Sequence, residues 1–128
     1  MIGEAKFARA FIFFNLTNLY GPIPLVISTD YHKNQILPRS SSDTVYAQII
    51  NDLKDAQNLM SSNYPSPGRF RPNHFTASAL LSKVYLYRGN WAEAEKNATE
   101  IIDAGIYSLD TDLNNVFLSS SNETIWKL

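Results

Sequence analysis

The stretch Tyr85–Gly105, YLYRGNWAEAEKNATEIIDAG, decides how this chain folds. It reads as the end of one helix, a corner centred on Gly89, and a second helix closed at Gly105. Asn90 offers a side-chain oxygen to the free amides of the second helix, and Glu93 stands three residues on, the spacing of a capping box. Trp91, Ala94, Ala98, Ile101 and Ile102 recur on one side of that helix, which is predicted to be its inner face. Leu81, the small Ser82 and Tyr85 continue the pattern upstream. Small residues let two helices approach closely, Tyr85 and Trp91 are expected to fill the angle between them, and Gly89 permits a turn that a side chain would obstruct.

Working outward, residues 74–88 form the helix before the corner, capped by Asn73 after Pro72, with Ala77, Leu80, Leu81, Val84 and Tyr85 on its apolar side. The segment SSNYPSPGRFRP ahead of it holds three prolines and a glycine and reads as a loop. Before that, Val45, Ile49, Leu53, Ala56 and Met60 line one face of a helix over about 42–60. Ser41 or Ser42 is its cap, and Asp43 sits at the positive end of its dipole. Residues 28–40 form a polar loop. The first helix, about 4–20, carries Phe7, Ala8, Phe11, Ile12, Leu16 and Leu19 at helical spacing, with Ala10, Phe13 and Phe14 widening the apolar surface. Gly21, Pro22 and Pro24 end it. Beyond Gly105 the pattern predicts two brief strands around a helical turn.

The whole chain fits one domain: its 128 residues suffice to bury a core, and 45% hydrophobic with 18% charged residues exclude disorder. With 11 basic against 12 acidic residues and no basic run, nothing predicts a nucleic-acid or anionic-lipid partner. There is no cysteine, which removes disulfide and thiol chemistry. No apolar run approaches a membrane span of about 20 residues, and no signal peptide opens the chain. Since it starts inside a helical pattern and stops at ETIWKL in what reads as a strand, both ends are expected to be cuts.

Reactive chemistry finds no foothold. His32 and His74 lie in separate segments, each without a ligand-type partner four residues away, so no metal or other cofactor is expected. Nucleophile elbow, phosphate loop and HExxH motif are absent from the sequence. The carboxylate pairs Glu93/Glu95 and Asp110/Asp112 are two residues apart and point apart on a helix. Sequons stand at Asn15, Asn97 and Asn122, where roughly two are expected by chance in so Asn-, Ser- and Thr-rich a chain, and Asn15 and Asn97 fall inside predicted helices, so chance is the reading taken. The loop aromatics Tyr31, Tyr64 and Phe70 lie among prolines and polar residues, where a ring either stacks on a sugar face or packs over the neighbouring helices.

Leu81, Ser82, Tyr85, Gly89, Trp91 and Ala94 have the spacing of a tetratricopeptide repeat, although Ala98 stands where a large aromatic is usual and no proline closes the unit. The first two long helices read as an earlier pair with an unusually long connection. The expected fold is all-α: a tetratricopeptide-like α-α superhelix of two helical hairpins, with minor short strands in loops and at the C-terminus. Two hairpins make an incomplete solenoid, so the chain is expected to stack on a partner, on more of itself, or on a copy, and as a fragment to self-associate.

Three blocks in order resemble the SusD/RagB family of outer-membrane nutrient-binding lipoproteins. EAKFARAFIFFNLTNLYGPIPLV carries Arg9, Ala10, Tyr20, Gly21 and Pro24; LPRSSSDTVYAQIINDLKDA carries Arg39, Val45, Tyr46, Asp52 and Leu53; LLSKVYLYRGNWAEAEKNATEII is the third. Asn73 replaces the usual hydroxyl cap, and bulky Phe75 stands where the family is often small. The resemblance implies that residues 1–128 are a single SusD-like helical-repeat domain from a protein several times longer, exported and lipid-anchored at the cell surface over a SusC-like TonB-dependent transporter. It implies a non-enzymatic role in capturing oligosaccharides, or in some members peptides, with this segment as scaffold and transporter contact. A generic protein-interaction module is the alternative. No family ligand-binding residue falls on a matching position here.

Overall fold

The computed structural model of the chain describes residues 1–118 and 121–127. Four long helices follow one another, and each packs on the next. Helix α1 (Ile2–Tyr20) buries Gly3, Phe7, Ala10, Phe14 and Thr17, the recurrence of one helical stripe. That stripe is rotated from the expected one, because Ala8, Ile12 and Leu19 face outward. Gly21, at φ 70, ends the helix with its amide on the Thr17 carbonyl. Next comes β1 (Ile23–Pro24), which pairs antiparallel with β2 (Arg39–Ser40). The loop between them, expected to be irregular, holds one turn of helix, α2 (Tyr31–Asn34), started by the Asp30 carboxylate accepting from the amides of His32 and Lys33. Four residues are too few to show a period.

Helix α3 (Ser42–Leu59) begins at Ser41, whose hydroxyl accepts from the Thr44 amide, and buries Val45, Ile49, Leu53 and Ala56. The start of α1 lies beside the end of α3, so the two run antiparallel. A Cβ added at Gly3 would sit 2.7 Å from Met60 Cγ and 3.1 Å from Leu59 Cβ, so the first turn of α1 lies close against the end of α3.

Asn73 then starts α4 (His74–Tyr87) with a full capping box: its side chain accepts from the Thr76 amide while the Thr76 hydroxyl accepts from the Asn73 amide. Leu81, Val84 and Tyr85 are buried between α3 and α5. Burial of Leu53 and Leu81 stabilises the stack by about 2 kcal/mol each. The corner at Gly89, φ 69, leads into α5 (Trp91–Asp103), where Asn90 accepts from the Glu93 amide. Ser82 Oγ donates to the Ala94 carbonyl at 2.8 Å, so the small residue at the crossing also ties the helices together.

Two expectations are corrected here. Trp91 does not fill the angle between α4 and α5; its side chain is 65% exposed, and Ile102 is also exposed. The stripe that α5 buries runs through Ala94 and Asn97, with Ala98 and Ile101 half-buried at its edge. Helix α5 has two apolar flanks, and only one meets α4. Past Gly105, the described residues form turns and no strand. Their backbone groups pair with the loop before α4 at isolated points, such as the Lys127 amide on the Arg69 carbonyl at 3.1 Å, which is not a ladder. The expected C-terminal strands fall partly on residues 119, 120 and 128, outside the described residues.

Candidate functional site

The residues quoted from the first two sequence blocks meet across the α1–α3 seam. Arg9 donates through Nε and Nη2 to the two carboxylate oxygens of Asp52, at 2.7 and 2.6 Å. Asp52 is only 1% exposed, and Gln48 supplies a further donor at 3.1 Å. The hydrogen bond to Asp52 holds the guanidinium above its ordinary range. Ala10 and Leu53 fill the space beside this pair, both fully buried. Tyr46 donates to Asn18 Oδ1 at 2.7 Å and meets the Phe14 ring edge-on. Pro24 pairs with Arg39 in the short ladder. Arg9, Ala10, Tyr46, Asp52 and Leu53 therefore build the seam, while Tyr20 and Arg39 are exposed beyond it.

A polar cleft of about 590 Å³ opens between α3, α4 and α5. Gln57 Nε2 donates to Ser78 Oγ and to Asn97 Oδ1, and Ser78 donates to Glu100. His74 lies between the Gln57 carbonyl, 2.8 Å from Nδ1, and the Glu100 carboxylate, 2.6 Å from Nε2. Since Nδ1 faces only a carbonyl, it carries a proton and donates. Lys54, Asn58, Glu93 and Lys96 stand around this network. The surface is polar because Gln57, Ser78 and Asn97 interrupt the apolar stripes of three helices and satisfy one another. Ser78 donates to Glu100, but it is fully buried and its oxygen accepts from Gln57, so a substrate in the cleft does not reach it. The cleft is a hydrogen-bonding surface without a poised nucleophile.

The three loop aromatics do not converge. Tyr31 sits on α2, exposed, with its ring near His32. Tyr64 is half-buried: its hydroxyl donates to the Ile125 carbonyl at 2.6 Å and also bonds the Tyr107 hydroxyl, while the Arg69 guanidinium lies 5.7 Å from its ring centre. Burial first, then the Tyr107 hydrogen bond, pushes the Tyr64 phenol above its ordinary range. Its ring is occupied by protein, unlike a free stacking platform. Phe70 is exposed, and its carbonyl accepts from Trp126 Nε1 at 3.0 Å. Of the repeat residues, Leu81, Tyr85 and Ala94 are buried, Gly89 makes the corner, and Trp91 faces out.

Sequence reasoning missed the cleft because its members come from three helices. A signal was present: Gln57 and Asn97 stand where a neighbouring turn places apolar residues. Among the described residues no helix is long and apolar enough to cross a membrane.

Comparison with known proteins agrees with this architecture. SusD-like protein P25 of Formosa agariphila is 28% identical across the whole chain, and SusD-like protein P2 of the same organism is 31% identical over 94% of it. The chain spans about a quarter of the length of these curated relatives. A SusD-like protein from Bacteroides fragilis superposes on 98% of the chain with a TM-score of 0.87 at 27% identity, the match covering 26% of that structure. A structure described as a laminarin binding SusD-like protein superposes on 94% of the chain, and 29% of its own, with a TM-score of 0.82 at 27% identity. Residues 1–86, which hold α1, α3 and nearly all of α4, match the SusD-like family described as starch-binding associating with outer membrane, and the chain belongs to that family.

Proposed function

We propose that this chain is the helical scaffold of a non-enzymatic glycan-capture component at the cell surface. In the intact protein, a lipid anchor would hold it at the outer membrane, and this segment would contact a SusC-like TonB-dependent transporter while oligosaccharide binds largely elsewhere. The observation that carries the reading is family membership over residues 1–86, joined to side chains that are tied to one another instead of poised for reaction. The laminarin-binding neighbour supports a glucan as the first ligand to try. A generic repeat adaptor is not favoured, since the relatives that match along the chain are SusD-like proteins.

Calorimetric titration of the 128-residue chain with laminarin oligosaccharides tests where the ligand sits. Weak or absent binding is expected, with no hydrolysis products. Millimolar or tighter binding that Tyr31→Ala or Phe70→Ala abolishes would move the ligand site into this segment and overturn the scaffold assignment. Co-purification of the intact protein with its transporter, lost on disrupting the α5 surface around Trp91, tests the contact role.

A further inference from the structure

His74 joins three helices through one ring. Its Nδ1 lies 2.8 Å from the Gln57 carbonyl on α3, and its Nε2 lies 2.6 Å from Glu100 Oε1 on α5. A carbonyl and an ionised carboxylate both accept only, so each ring nitrogen needs a proton to make its contact. Imidazole carries two protons only as the imidazolium. Either neutral tautomer sets a lone pair against one of the two acceptors.

The surroundings decide which contact yields. The Gln57 carbonyl belongs to the last turn of α3, where helix carbonyls lack partners within the helix, and it is fixed by the backbone. Glu100 is a long side chain on the exposed side of α5 and can swing away. Its departure strands no buried donor. Ser78 Oγ, which gives its proton to Glu100 Oε2 at 3.1 Å, also lies 3.3 Å from the His74 carbonyl and has that acceptor to turn to. His74 is 23% exposed, so its proton exchanges with water.

The other ties on α5 lie nearer its start. Ser82 holds the Ala94 carbonyl and Gln57 holds Asn97, whereas Glu100 carries the last side-chain hydrogen bond of the helix among the described residues. Beyond it, Ile102 and Asp103 are exposed. The charged groups lining the same cleft are Lys54 of α3 and Glu93 and Lys96 of α5, and of these elements only Glu100 and the Gln57 carbonyl bond to the ring.

We propose that His74, Ser78 and Glu100 form a pH-sensitive clasp, which holds the last turn of α5 to α4 while a proton lies between His74 and Glu100 and releases it when that proton is lost. The fold favours the protonated ring, so the contribution of the clasp is present on the acid side of the imidazole range and is lost as pH rises through it. At the acid end, protonation of Glu100 removes the ion pair again. Release widens the polar cleft from the α5 side.

Amide hydrogen exchange of the 128-residue chain, expressed as protection factors so that the intrinsic pH dependence of exchange cancels, tests this. The amides of Ala104 and Gly105 close the end of α5 on the Glu100 and Ile102 carbonyls. They are expected to lose protection at least about tenfold between about pH 5.5 and about pH 8, while the Ala94 amide at the other end of α5 keeps its own. Glu100→Gln and His74→Gln are expected to change less than about twofold across that range. Unaltered protection in the parent, or the same loss in Glu100→Gln as in the parent, would overturn the proposal. Should both variants lose helical circular dichroism, the nitrogen chemical shifts of the parent's His74 ring at about pH 8 decide. A neutral ring protonated on Nδ1 has kept Gln57 and released Glu100, as proposed; one protonated on Nε2 still holds Glu100 and overturns the clasp.

Discussion

The two helical pairs are built from similar parts and finished differently. In the α1–α3 pair, aromatic rings and a charged couple are turned inward: Phe7 is 2% exposed, and Asp52 is sealed against Arg9. In the α4–α5 pair, the helices touch through small residues, Ser82 against Ala94, and the largest ring, Trp91, looks outward over a shallow recess of about 400 Å³ beside Leu86 and Ala98. Both pairs leave some apolar side chains outward, Ile12 and Leu19 on the first and Trp91 and Ile102 on the second; the difference lies in the rings and charges, which the first pair turns inward.

Truncating one ring in each pair sets the comparison at its widest. Phe7→Ala is expected to cost about 4 kcal/mol, since it removes a fully buried ring and leaves a cavity. Trp91→Ala is expected to change stability by less than about 0.5 kcal/mol, as exposed substitutions usually do. Urea denaturation measures both, and comparable losses would mean that Trp91 is as enclosed in solution as Phe7.

The buried couple gives the next largest effect. Asp52→Ala strands the Arg9 guanidinium and is expected to cost about 3 kcal/mol, near the low end for broken buried pairs because Arg9 keeps partial access to water. Asp55→Ala, one turn along α3, breaks the exposed pair with Lys6 and is expected to cost less than about 0.5 kcal/mol. If the two losses were alike, the seam would owe nothing to the depth of its charges.

The smallest effect lies between the pairs, where Glu4 of α1 receives Nε and Nη2 of Arg71, just ahead of α4. The Arg71 hydrogen bond holds the Glu4 carboxyl below its usual 4.5. A depressed folded value means that the contribution is complete above the usual carboxyl range and disappears as pH falls through the lowered one. A small loss of stability below about pH 4.5 is expected, and Arg71→Gln should flatten that part of the profile.

The helices and their starts were legible because their signals are local. Ser41, Asn73 and Asn90 each precede an apolar period, and each accepts an amide of the helix it opens. Periodicity does not say which side of a helix finds a neighbour. Helix α5 carries apolar residues over too wide an arc for one contact, so Trp91 and Ile102 were assigned to a face that proved open. Likewise α1 is apolar over too wide an arc for its pattern to choose a face, and it buries Ala10 and Thr17 while Ile12 and Leu19 stay outside.

The polar contacts were hidden for a different reason. Arg9 and Asp52 are 43 positions apart, as are Tyr64 and Tyr107. Their only sequence trace is a charge set within an apolar run on each side, opposite in sign, which tells that a partner exists without telling which. The tyrosines near the prolines offered still less, and Tyr64 is engaged by the chain itself.

His74 has a consequence that reaches past its hydrogen bonds. As the first residue of α4, it lends its ring to a carbonyl in the last turn of α3. Helix ends ordinarily loosen one at a time, but these two share a fastener. Fraying of either must undo the other, so the boundary between the pairs behaves as one cooperative unit, and amide hydrogens on both sides of it should exchange with water at matched rates.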